Sequence, residues 1–318
     1  MTLPQEFFEY TKRAYGMDHD RYEWSMLPTR PKVEWPGGAR VALWITVSLE
    51  WFPLDCKRHP IHPPGEFAFP YPDMRSYTLR DFGNRVGVYR VMKALDRHGI
   101  PATAAINAGV AARYPSLVKA CVDKGWEAAG HGMDMGRPHF GGLDQEEEAR
   151  RVNQSLAILR EVSGQPVRGW LSPAKSQSWN TLDLVAAAGV DYVCDWGNDD
   201  MPYEMKTESG PILGMPHPLL IDDWAILIEG RHSEDEFSRQ LCDQFDALYA
   251  ESARFGGRVM SIALRPWVIG QPFRIGALEK ALAHIMSHRG VWAATGSQIA
   301  DSFRAQAKAH VPARQAAA

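Results

Sequence analysis

Five stretches of the chain follow one pattern: RHGIPATAAIN (97–107), DKGWEAAGHG (123–132), SGQPVRGWLSP (163–173), AAGVDYVCDW (187–196) and HRGVWAATG (288–296). In each, a Gly follows an amphipathic stretch and precedes a short run rich in Val, Ile, Ala and aromatic residues. Gly takes the left-handed conformation that closes a helix, and a short apolar run after such a signal reads as a buried strand. The repeating unit is therefore helix, Gly, strand. Capping boxes mark helix starts, with Asp144 ahead of Glu147 and Ser233 ahead of Glu236. Val152, Leu156 and Leu159 then fall on one helical face. Further strands at Arg40–Ser48, Ala225–Ile228 and Val259–Leu264 bring the total to seven or eight. Strands alternating with helices demand a parallel sheet with right-handed crossovers, and this many units favour closure into a barrel.

The reading is one α/β domain, a (β/α) barrel over residues 36–304, with an N-terminal arm at 1–35 and a frayed tail at 305–318. Residues 51–78 break the pattern with six prolines and several aromatics. They read as a lid over one mouth, with Phe67, Phe69 and Tyr71 facing the pocket.

The 318 residues are 45% hydrophobic and 23% charged, and 35 basic against 38 acidic side chains give a net charge of -3. That balance lacks the basic surface of a nucleic-acid binder. The longest apolar stretch, Val41–Leu49, is far short of the roughly 18 residues of a membrane span. Cys56, Cys121, Cys194 and Cys242 are isolated, and the N-terminus has no basic start followed by an apolar run. Both features place the expected protein in the cytoplasm, with a small molecule as its partner and neither nucleic acid nor membrane.

In a parallel barrel, chemistry gathers where strands end. The residues that close the apolar runs are Glu50, Asn107, His131, Ser172, Asp195, Glu229, Arg265 and Thr295. Ionisable groups at the ends of buried runs form an active-site rim, because burying them unpaired is costly. Each also has a structural reading. Glu50 could pair with Arg85, His131 could bond a loop carbonyl, Asp195 could cap a turn and Arg265 could be an ion-pair residue of the rim. Trp170, Trp196 and Trp267 stand at or beside strand ends and mark an aromatic-walled pocket.

These residues carry a resemblance to the polysaccharide deacetylase superfamily, and more closely to its small-molecule branch of metal-independent allantoinases and cyclic-imide hydrolases. The matching stretches are EWPGGARVAL (34–43), DFGNRVGVYR (81–90), EAAGHG (127–132), RGWLSP (168–173), YVCDWGNDDMPY (192–203), IALRPWVIGQPFRI (262–275) and GVWAATGSQIA (290–300). The resemblance implies a distorted (β/α)7 barrel that hydrolyses acetamido groups or cyclic amide bonds, and a homo-oligomer. Three departures stand out. Metal-dependent members of the family end the first strand on an Asp pair, where this chain has SLEWF and one acid, Glu50. They carry His-x-x-x-His where HGMDM puts Met135 in the second His position, and their general-acid His before Pro is Arg265 here.

A catalytic zinc site takes three protein ligands. The motif positions supply two, Glu50 and His131, so the expectation is a site needing no cofactor, or one with Zn and a third ligand such as His139 or His232. The functional reading is an amidohydrolase for a small cyclic amide, imide or ureide, or an N-acyl or N-formyl amine. Glu50, His131, Asp195 and Arg265 are its catalytic set, and Arg85, Trp170, Ser172, Trp196 and Trp267 contact the substrate. Arg265 keeps its proton at any working pH and is assigned to clamp an anionic substrate or stabilise an oxyanion. A catalytically silent relative that binds a small anion and a metal-dependent carbohydrate deacetylase are the alternatives.

Overall fold

The computed structural model describes residues 19–54 and 72–310. Its elements run β1 (Val41–Leu49), α1 (Met74–Phe82), α2 (Val88–Asp96), β2 (Ala102–Ile106), α3 (Ala108–Arg113), α4 (Pro115–Asp123), β3 (Glu127–Gly130), α5 (Gln145–Ser163), β4 (Gly169–Trp170), α6 (Thr181–Ala187) and β5 (Tyr192–Val193). Then follow β6 (Tyr203–Met205), β7 (Ile212–Gly214), α7 (Glu234–Phe255), β8 (Arg258–Leu264), α8 (Pro266–Ile269), α9 (Ile275–Met286), β9 (Val291–Ala293) and α10 (Gly296–His310). Seven parallel strands curl in the order β8-β1-β2-β3-β4-β5-β7. This is the distorted (β/α)7 barrel expected. Strand β6 adds antiparallel to β7. Among the described residues no helix is long and apolar enough to cross a membrane.

The five glycines that organise the sequence, Gly99, Gly125, Gly164, Gly189 and Gly290, all have positive φ, and the run after each is a strand. Asp144 and Ser233 accept the backbone N–H of Glu147 and Glu236, as their capping boxes require. Val152, Leu156 and Leu159 are buried on one face of α5.

Two strand assignments change. Residues 225–228 lie in a wide helical turn spanning Trp224–Glu229. Asp222 Oδ1 accepts the Ala225 N–H at 2.6 Å, and an acid capping a free N–H starts a helical turn. The seventh barrel strand is β7, which the sequence reading passes over. Strand β9 joins no outer position; it pairs with Val41–Leu43 of β1, below the Ile45–Leu49 stretch that pairs with β2. Thr295 consequently lies beside Thr103, whose hydroxyl accepts the Gly296 N–H, and not at the mouth. The lid residues Phe67, Phe69 and Tyr71 lie outside the described residues, while 74–78 begin α1 behind the Asp73 cap. Helix α10 continues past Ala305 to His310.

The segment 83–87, a wide turn joining α1 to α2, packs on α8 without side-chain spacers. A Cβ at Gly87 would lie 2.1 Å from the Pro266 carbonyl oxygen. Gly87→Ala is expected to push α8 outward at a cost of about 1–3 kcal/mol, measurable as a lower Tm.

Candidate active site

The C-terminal ends of β1, β2, β3 and β8 are tied together before any substrate arrives. Asn107, fully buried after β2, accepts the Trp51 N–H through Oδ1 at 2.7 Å and donates to the His131 carbonyl through Nδ2. Glu50 receives the Trp267 indole N–H at 2.9 Å on Oε2 and faces Arg265 Nε at 3.4 Å through Oε1. Arg265 Nη1 lies 3.1 Å from Asp222 and 3.3 Å from Asp223, whose other oxygen accepts the Arg265 backbone N–H at 2.6 Å. Above this network opens a cavity of about 350 Å³, lined among others by Glu50, Phe52, His131, Ser172, Lys175, His217, Trp224 and Arg265. That volume suits a small molecule.

Two imidazoles present bare nitrogens here. His131 Nδ1 lies 2.6 Å from the Leu171 carbonyl. A carbonyl only accepts, so the proton is on Nδ1 and Nε2 carries the lone pair. Nε2 is buried with no hydrogen-bond partner among the described residues. Burial pushes the His131 pKa down, against the pull of Glu50, and keeps the ring neutral. His217 Nε2 lies 3.0 Å from Thr46 Oγ1, its Nδ1 is the second buried nitrogen without a partner, and burial holds its pKa well below the usual histidine range.

Lys175 is held by consecutive left-handed residues, Ala174 and Lys175 both at φ +54°, a strained conformation outside glycine. Its ammonium donates to the His217 and Pro218 carbonyls. Burial pushes its pKa down to about 8, although Asp222 and Asp195 work the other way.

Of the residues named from the sequence, Glu50, His131, Ser172, Glu229 and Arg265 line this one cavity. Asp195 stands behind it, accepting the Ser172 N–H and hydroxyl, both at 2.7 Å, and the Gln177 amide. Trp267 reaches the site through its bond to Glu50. Trp170 is buried beneath it, donating to Ser172 Oγ, and Trp196 donates to Gln177 on the far side of Asp195. The aromatic lining is instead Phe52 and Trp224. Arg85 is no substrate contact: its side chain is 76% exposed, its acidic neighbour is Asp81, and Glu50 pairs with Arg265. Nor does Arg265 stand ready to clamp an anion, since three carboxylates already face its guanidinium. The glycines flanking His131 do mark tight approach, because a Cβ at Gly130 would meet the Trp170 ring at 2.7 Å.

His217, Lys175, Asp222 and Asp223 escape the sequence reading. His217 follows β7 in ILGMPHP, an apolar run ending on an ionisable group, so the strand-end filter would have caught it had β7 been read as a strand. Lys175 gives no such signal.

Residues 76–193 match the polysaccharide deacetylase family model. That stretch of the chain is similar to a polysaccharide deacetylase domain. The chain is similar to the crystal structure of PuuE allantoinase, with 29% identity and a TM-score of 0.78 over 87% of this chain and 94% of that one. A probable polysaccharide deacetylase from Pseudomonas aeruginosa PAO1 gives the same identity and TM-score over 87% and 95%. The Helicobacter pylori peptidoglycan deacetylase is 25% identical over 254 residues, covering 70% of this chain and 85% of that protein.

Metal ligation fits this pocket poorly. Among the described residues no three His, Cys, Asp or Glu donor atoms of the cavity lie within 4.8 Å of one another. His139, one expected third ligand, bonds Glu148 at 2.8 Å, and the other, His232, is exposed against Gln240. The second His position of the deacetylase motif is filled by the buried thioether of Met135.

Arg265→Met would leave Glu50, Asp222 and Asp223 facing one another without a counterion. A loss of about 3–5 kcal/mol is expected, read as a several-degree fall in Tm that shrinks as the pH is lowered and protonation relieves the repulsion. A freely standing substrate clamp would leave Tm unchanged.

Proposed function

We propose that this chain hydrolyses a carbon–nitrogen bond of a small, electrically neutral cyclic amide, imide or ureide, without a catalytic metal. The observation that carries this reading is the bare Nε2 of neutral His131, buried in a small cavity that two cations, Lys175 and Arg265, also line. The carboxylates of Glu50, Asp222 and Glu229 line the same cavity, while burial pushes Asp223 up to about 8. A pocket already holding these carboxylates favours a neutral substrate over an anion. The likeness to an allantoinase points the same way, since allantoin is a cyclic ureide.

In this scheme His131 Nε2 removes a proton from water, and the nearby Glu50 carboxylate stabilises the imidazolium that forms. The water oxygen attacks the carbonyl carbon. The Lys175 ammonium stabilises the resulting oxyanion, while Arg265 holds Glu50 in place by charge. Lys175 then gives its proton to the departing nitrogen as the C–N bond breaks, opening the ring to a carboxylic acid and an N–H group (amine, amide or urea according to the substrate). The acid ionises to solvent, and the proton taken up by His131 is returned through water to Lys175. A group with a pKa of about 8 can perform this step near neutrality, which Arg265 cannot. Asp195 acts through Ser172, holding the loop that carries Lys175.

The experiment is an assay of purified protein against hydantoin, allantoin, succinimide, and N-acetyl and N-formyl amines, with and without chelator. Turnover of a ring compound that survives chelation supports the reading. Loss of turnover on chelation, restored by zinc, overturns its metal-free part, and saturable binding without turnover favours a catalytically silent relative. With a substrate in hand, kcat/KM should fall above about pH 8 as the Lys175 ammonium is lost. Lys175→Met should lower kcat by about 10²–10⁴-fold and abolish that basic limb. A wild-type limb that persists in the variant would remove Lys175 from the mechanism.

A further inference from the structure

On the outer helices, His284 in the last turn of α9 and His288 in the turn just past its end lie beside Asp246 of α7. Paired histidines four residues apart are a recurrent metal-binding spacing. One donor atom from each of the three residues lies within 4.8 Å of the other two. We infer that Asp246, His284 and His288 form a site for one divalent transition-metal ion, separate from the pocket of Glu50 and His131.

The donors are held, not merely close. His288 Nδ1 lies 2.9 Å from the His284 carbonyl and therefore carries its proton there, leaving Nε2 as the lone-pair atom. A ring N–H given to a backbone carbonyl is the usual support of a metal-ligating histidine. The rings of Phe245 and Tyr249 back His288 at 5.0 and 5.3 Å, and Tyr249 donates to the Arg289 carbonyl at 3.0 Å, fixing the turn. His284 Nε2 and Asp246 Oδ1 are already 2.8 Å apart. Tetrahedral bonds of about 2.0–2.2 Å require ligand separations a little over 3 Å, so a small adjustment of three side chains already within 4.8 Å of one another would seat an ion. All three side chains reach solvent, which leaves a water for the fourth position.

Two imidazoles and one carboxylate suit Zn²⁺, Ni²⁺ or Cu²⁺ and not Mg²⁺ or Ca²⁺. The turn after His288 ends at Gly290, whose carbonyl accepts the N–H of Arg40 and Val41 where β1 begins. The site is thus at the base of the barrel, and the nine residues of β1, at about 3.3 Å each, separate it from Glu50 by roughly 30 Å. An ion there would staple α7 to α9 and take no part in hydrolysis. Zinc recovered with the purified protein would come from this site.

The test is a titration of the chelator-treated full chain with ZnCl₂ alone, followed by calorimetry and thermal unfolding, with MgCl₂ as the control. One Zn²⁺ per chain should bind in the micromolar range or tighter and raise Tm, and Mg²⁺ should do neither. His284→Ala should weaken binding at least tenfold, and the milder Asp246→Asn should weaken it measurably. Both should abolish the Tm shift. Equal binding by wild type and both variants would overturn the proposal. So would the absence of micromolar binding by the wild type. Neither result bears on whether the His131 pocket turns over its substrate without a metal.

Discussion

A guanidinium half-buried at the end of a barrel strand needs negative partners, and Arg265 collects three. Burial works against its charge, but Asp222, Glu50 and Asp223 together outweigh that and raise its pKa further. The three carboxylates come from two separate places: Glu50 closes β1, and Asp222 and Asp223 begin the helical turn that fills the gap between β7 and β8. A lone bridge from Asp222 to Ala263 of β8 is the strand-like contact across that gap among the described residues. The arginine therefore joins the two edges of an incomplete barrel through charge where backbone pairing is missing. One interaction closes the fold and shapes the floor of the pocket.

The same economy governs the rest of the mouth. Asn107 fixes the chain leaving β1 to the chain leaving β3, next to Glu50 on one and at His131 on the other. Asp195 accepts two bonds from Ser172 and one from Gln177, anchoring both ends of the loop that puts Lys175 into the cavity. None of these groups needs to reorganise when charge develops on a substrate, and that preorganisation is what makes buried dipoles and charges effective in catalysis.

Replacing the closing histidine of the family by arginine alters the proton inventory of the pocket. Arginine holds its proton throughout and can only stabilise charge. The titrating groups then become a histidine kept neutral by burial and a lysine brought down toward neutrality by the same cause. Desolvation lowers both, since both are cations when protonated. Departure from the family's motif at one position is thus accompanied by ionisable groups at others, on the same scaffold.

What the sequence determined by itself was local. Glycine after an amphipathic run closes a helix because only it takes left-handed φ without cost, so Gly99, Gly125, Gly164, Gly189 and Gly290 located helix ends and the strands after them. Polar residues closing buried runs located Glu50, Asn107, His131 and Arg265 at one mouth, because a parallel barrel brings every strand end to the same side. Tertiary structure decided the pairings. That Arg265 pairs with Glu50, and that Arg85 turns to solvent, depends on how elements far apart in sequence are brought together. The run AILI at 225–228 is equally compatible with a strand or a helical turn; the Asp222 cap and the open space beside β8 selected the turn. Lys175 became a pocket residue through two strained backbone angles and carbonyls supplied by the 217–218 segment. Periodicity and capping act over a few residues and are written in the chain, whereas burial and charge pairing are properties of the space between elements and exist only once the barrel has formed.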